Sequence, residues 1–213
     1  LAIGTSRGLV MGVAYAHFLA PGILMMSVMQ NAFANTASSL VISKVQGNIV
    51  DTLMPPLSPL ELVIGYTVGG MLRGYAVAFA VILVTFPFLK LGIAHPLWAF
   101  LFLSLGSALL SLIGLLAGIV SDRFDQMNAI TNFIITPLSF LSGTFYSIDI
   151  LPATMQTITH FNPVFYLIDG MRYGVIGVSD RSPVLGAAVC GGLCLVLAFW
   201  GWRWFSTGYR LKS

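Results

Sequence analysis

Residues 97–120 read LWAFLFLSLGSALLSLIGLLAGIV, an apolar run without one charged side chain. A bilayer core about 30 Å thick is crossed by about 20 apolar residues in a helix, so this run is long enough to span. The pattern repeats outward from it. Asp, Glu, Lys and Arg are missing from 8–43, 91–121, 126–148, 150–168 and 182–202, and 62–89 carries only Arg73. Of the 213 residues 57% are hydrophobic and 8% charged, against roughly 25% charged in a soluble domain. The mean hydropathy is +0.92. The chain therefore reads as an all-α, polytopic helical membrane protein.

The same arithmetic excludes other classes. Disorder needs low hydrophobicity and high charge, and a transmembrane barrel needs alternating segments of about ten residues. Neither pattern is present. A net charge of +3, scattered along the chain, gives no basic footprint for nucleic acid. No G-x-x-x-x-G-K-[ST] loop occurs, so the chain is not its own P-loop ATPase. His17, His95 and His160 lie in separate segments and read as loop or interface residues; Cys190 and Cys194 read as small packing residues. No serine sits in a G-x-S-x-G motif.

Five spans are predicted, at about 19–40, 62–88, 97–120, 128–146 and 184–204, with residues 1–18 as a loop. The Gln30-Asn31 to Asn35-Thr36 stretch puts amides into the first span; amides in lipid face other helices, so this face is expected to be buried in protein. Residues 43–61 form the longest link between spans. Within it, Gln46 to Met54 can form a short amphipathic helix ended by Pro55, Pro56 and Pro59, and Ser58 with Glu61 reads as a capping box. Residues 149–180 are too polar and too interrupted to cross. They are expected to form two short interfacial or re-entrant helices broken at Asn162-Pro163, with Tyr166, Asp169, Arg172 and Tyr173 at the boundary and Asp169 paired locally to Arg172 at i,i+3.

Arg73 stands near the middle of a span, where Arg costs about 2.5–3.5 kcal/mol on insertion scales. Three readings stay open: snorkelling along a tilted helix, a structural ion pair, or a direct place on a substrate pathway. Gly65, Gly69, Gly70 and Gly74, and Gly114 with Gly118, have the small-residue spacing that lets helices approach closely. If 43–61 is cytoplasmic, Lys44, Arg123, Arg203, Arg210 and Lys212 lie inside and Arg7, Lys90, Arg172 and Arg181 outside, a small bias in the sense of the positive-inside rule.

Four ordered stretches carry a resemblance: Leu19-Ala20-Pro21-Gly22 opening a span; Gly47-Asn48-Ile49-Val50-Asp51-Thr52-Leu53-Met54-Pro55-Pro56 between spans; Pro137-Leu138-Ser139-Phe140-Leu141-Ser142-Gly143; and Asn162-Pro163-Val164-Phe165-Tyr166 continuing to Arg172-Tyr173. Together they resemble the membrane subunit of ABC-2-type ABC transporters, and within that family the bacterial drug and lipo-oligosaccharide exporter permeases. The resemblance implies one transmembrane domain over 1–213, with six spans in the family pattern; the N-terminal interfacial helix and most of the first span would precede Leu1. It implies that 43–61 is a cytoplasmic coupling segment, with Gly47, Asn48, Ile49, Val50, Asp51, Thr52 and Leu53 docking on a separate ABC ATPase subunit that binds ATP and Mg. No cofactor is expected on this chain itself, and no enzymatic activity of its own is expected. The other partners implied are a second permease copy and the lipid bilayer, in the bacterial inner membrane, with no nucleic acid. The expected function is outward movement of an amphipathic, lipid-linked or drug-like substrate. The alternative is a secondary transporter or channel without an ATPase.

Overall fold

The computed structural model describes residues 9–10, 12–49, 57–147 and 152–210. A two-strand hairpin, β1 (Leu9–Val10) and β2 (Val13–Ala14), turns at Gly12 and leads straight into α1 (Tyr15–Val45). The first helix thus starts four residues before the predicted span and runs five beyond it. Its partners are α2 (Pro59–Leu89) and α3 (Pro96–Val120). Each begins with proline at its first position, where the missing amide is not needed. Ser58 and Glu61 close the predicted capping box on α2: Ser58 N donates to Glu61 Oε2 at 2.7 Å, and Glu61 N to Ser58 Oγ at 3.3 Å. Lys90 ends α2 in the left-handed region at φ 51°.

The expected fourth span is a composite. α4 (Phe124–Ile130), a π-helical turn (Thr131–Ile135) and α5 (Thr136–Phe140) follow without a break and contribute 7, 5 and 5 residues. Thr136 N–H reaches back five residues to Thr131 O, one residue before Pro137, which brings no amide to the ladder. At 1.5 Å per residue this segment is about 25 Å long, and a turn at Gly143 follows it. α6 (Ala153–His160) and α7 (Pro163–Ile176) meet at Asn162, whose side chain caps Val164 N at 3.0 Å. α8 (Pro183–Thr207) closes the bundle.

α1 and α3 form the centre. Gly106, Gly114 and Gly118 of α3 face Met25, Phe33 and Leu40 of α1; at Gly114 an added Cβ would sit 2.5 Å from the Phe33 carbonyl oxygen. α2 packs on both helices through Gly70 and Gly74, whereas Gly65 and Gly69 face open space. One run of small residues therefore has an inner and an outer side. α7 is not a surface helix: Val164, Leu167, Ile168 and Met171 belong to the main core with Phe102 and Leu109 of α3. A Cβ on Gly174 would lie 2.6 Å from Ala99 N.

Among the described residues, three helices are both long and apolar enough to cross a membrane by length and composition, α2, α3 and α8. Five spans are not established at this level. α1 has 31 residues, but its amides and serines lower its hydropathy, and the composite segment is short. Much of α2 and α8 presents Leu72, Phe79, Leu83, Leu195 and Phe199 outward, a surface suited to hydrocarbon.

Candidate functional site

Contacts sort the molecule into two ends and a polar stripe between them. At one end, the Lys44 ammonium meets the carbonyls of Ile119 and Ser121 and lies 3.7 Å from Asp122. Arg210 donates to Val120 O at 2.9 Å. Ile49 is buried with Leu40, Leu62 and Leu115. The predicted coupling run starts here, just beyond α1: Gly47 has φ 74° with open space around it, Asn48 is exposed, and Ile49 is anchored. Val50, Asp51, Thr52 and Leu53 lie outside the described residues.

The stripe runs along α1. Ser27, Gln30, Asn31, Asn35, Ser38, Ser39 and Ser43 recur at spacings of one, three and four and are all half-exposed. Ala32, Phe33 and Ala37 fill the buried face instead. This corrects the expectation that the amide face is buried in the protein: within one chain it is open. Arg73 is exposed beside it, and its guanidinium donates to Asn35 Oδ1 at 3.4 Å. Among the described residues no carboxylate lies within 4.0 Å of Arg73. The buried polar exception is Thr36, which donates to Ala32 O and Tyr66 O at 3.2 and 3.3 Å.

At the opposite end, two of the residues predicted to sit at a membrane boundary are buried in the bundle, Asp169 at 3% and Arg172 at 0% exposed, because α7 is clamped between α1, α3 and α8; Tyr166 and Tyr173 are half-buried. Arg172 lies 3.9 Å from Asp169 and 3.8 Å from Asp180, donates to Gly143 O at 2.9 Å, and stands 3.8 Å over the Phe18 ring. Asp169 accepts the amides of Asp180 and Arg181 at 2.8 and 2.9 Å, and Asp180 accepts from Ser147 Oγ at 2.7 Å. The i,i+3 pair was legible in sequence; Asp180, Phe18 and Gly143 were not, because contacts between distant segments leave no periodic trace. Burial pushes the Asp169 carboxyl up to about 6, against the pull of the two amides and of Arg172. Burial also lowers Arg172.

The other predicted residues of this end are close by. Asn162 Nδ2 donates to Leu138 O and Ser142 Oγ at 3.1 and 2.9 Å, and Pro163 O accepts from Cys190 Sγ at 3.6 Å. Tyr173 stacks on His95 at 4.7 Å and meets the edge of Trp98, while Tyr166 packs edge-on to Phe165. The arrangement is a buried ionic cluster at one end, a half-exposed polar stripe in the middle and, at the other end, the turn that follows α1.

Such a bundle is a membrane transport permease, and the chain belongs to the ABC-2 type transporter family, whose profile matches residues 2–176. It is 36% identical over 213 residues to the inner membrane transport permease YadH of Escherichia coli K12, covering 99% of this chain and 82% of that protein. It is 26% identical over 203 residues to nodulation protein J of Rhizobium leguminosarum bv. viciae, covering 92% and 74%. Nodulation protein J of Neorhizobium galegae is similar at 24% over 198 residues. The chain is a multi-pass inner-membrane protein.

Proposed function

We propose that the chain is the membrane-spanning subunit of an ATP-driven exporter, working as a pair of permeases with two separate ATPase subunits. The observation that carries this reading is the open stripe of α1 with Arg73 beside it. Polar groups at membrane depth must meet protein or water, and here a second copy and a hydrated pathway between copies would satisfy them. Five traverses fit this arrangement: α1, α2, α3, the α4–α5 composite and α8. The Lys44 end is then cytoplasmic and α6 and α7 lie at the extracytoplasmic end.

Residues 47–53 follow α1 directly, and α2 is fixed at its start by proline and a capping box. A push on that turn is passed to two long helices as tilt. ATP-driven closure of the partner pair would act there and change the interface between permeases, moving an amphipathic, lipid-linked or drug-like substrate outward. ATP and Mg belong to the partner. The test replaces Asp51 and Leu53 by Ala in the full-length permease assembled with its ATPase. ATP hydrolysis should lose its dependence on the permease while membrane insertion stays normal; parental hydrolysis and transport would place the docking site elsewhere.

A further inference from the structure

We infer that a cavity between α5 and α6 holds the hydrocarbon chain of a membrane phospholipid whose anionic head group is met by Arg181. The cavity measures about 460 Å³ and is walled by Leu138, Leu141, Met155 and Phe161, with Tyr146, Thr159 and Asn162 completing it. Its polar wall groups are already engaged. Thr159 Oγ1 donates to Met155 O at 2.9 Å; the Asn162 amide donates to Leu138 O and Ser142 Oγ and accepts from Val164 N. A polar guest would give up its water without finding partners, whereas a hydrocarbon chain loses nothing.

The rim of the mouth is apolar and exposed, a surface suited to hydrocarbon rather than water. Leu141, Met155 and Phe161 around it are 60%, 55% and 85% exposed, and Phe133 and Ile134 continue the apolar surface along the same composite segment. A basic group is held by the residue that lies in sequence between two wall residues. Arg181 Nη2 donates to His160 Nε2 at 2.8 Å, and the neighbours of His160 on both sides, Thr159 and Phe161, are wall residues. Burial and the nearby guanidinium lower the His160 pKa, so its ring is a neutral acceptor that orients Arg181. The Arg181 backbone is pinned in turn by Asp169 Oδ2 at 2.9 Å. A planar guanidinium held in one place beside an apolar slot suits the phosphate of a phospholipid. The inference rests on this end lying in the membrane and not on coupling to an ATPase, so either can fail alone.

Spin-labelled phosphatidylglycerol and phosphatidylcholine, each labelled near the chain end, provide the probes in nanodiscs containing the full-length permease. Motionally restricted phosphatidylglycerol should exceed phosphatidylcholine by about fivefold, the gain expected for one basic residue near the surface. Arg181→Gln should erase this preference. His160→Gln, which keeps an acceptor for the guanidinium, should retain it. Leu141→Trp and Met155→Trp fill the slot from half-exposed positions that tolerate bulk, and either should release both lipids. Equal retention of the two lipids by the parent, or unchanged retention in both tryptophan variants, would overturn the assignment.

Discussion

Arg172 is the residue on which one end of the molecule turns, since it joins α7, the turn at Gly143, the loop at Asp180 and the Phe18 ring of α1. Removing one partner of a buried ion cluster leaves the others uncompensated and costs about 3–5 kcal/mol. Arg172→Leu should therefore lower unfolding stability in detergent by about that amount, which a thermal or denaturant melt checks; an unchanged midpoint would mean that the cluster contributes no net stability. The pH dependence follows from Asp169. Its folded-state pKa, about 6, is raised above the unfolded value near 3.8, so the folded state binds the proton more tightly. The stabilisation linked to that proton is complete below about pH 4 and is lost as pH rises through about 6. His160 acts in the opposite sense, since its pKa is lowered, but it is exposed and its effect is screened. Melting midpoints measured from pH 4 to 7 should fall with rising pH in the parent and flatten in Asp169→Asn. At this scale the sequence shows a pair but not its network. The i,i+3 spacing of Asp169 and Arg172 is local, whereas Asp180 and Phe18 arrive only when α1 and the loop before α8 close over α7.

Among the elements, helix ends were the most legible features. Ser58 with Glu61, and Asn162 with Pro163, act through neighbours within four residues, and they cap α2 and α7. Helix faces were less so. The glycines of 65–74 carry overlapping small-residue spacings, and only packing separates Gly70 and Gly74, which touch α1 and α3, from Gly65 and Gly69. The same difficulty affected the amides of α1. Their types predicted a protein-facing surface, but which protein surface depends on where α3 docks, and α3 chose the Ala32, Phe33 and Ala37 side. Gly174→Ala and Gly65→Ala make a matched pair. The first places a Cβ 2.6 Å from backbone atoms of Ala99, and the second meets nothing. Gly65→Ala should stabilise by up to about 1 kcal/mol through helix propensity, while Gly174→Ala should destabilise by about 1–3 kcal/mol through overpacking. Equal midpoints in a melt would show that α7 is not clamped on α3.

For the whole molecule, composition alone settled the class, because charge-free runs of membrane length admit few other folds. The number of spans was harder to read. The apolar stretch at 126–148 suggests one helix, but the chain around Pro137 adopts a π-helical turn and stops at Phe140; hydropathy does not register such a break. The working surface was hardest of all, since a stripe that is half-exposed in one chain carries no mark in the sequence of what covers it. The central claim is that this stripe faces a second copy and that the contact responds to ATP. Its most direct test is a single cysteine in place of Asn35 in the full-length chain, with Cys190 and Cys194 replaced by Ala, co-expressed with the ATPase partner in membrane vesicles. A short bifunctional thiol reagent should link two permeases, and the yield should change when ATP and vanadate trap the closed ATPase pair. Absence of the linked pair, or a yield indifferent to nucleotide, would contradict the account.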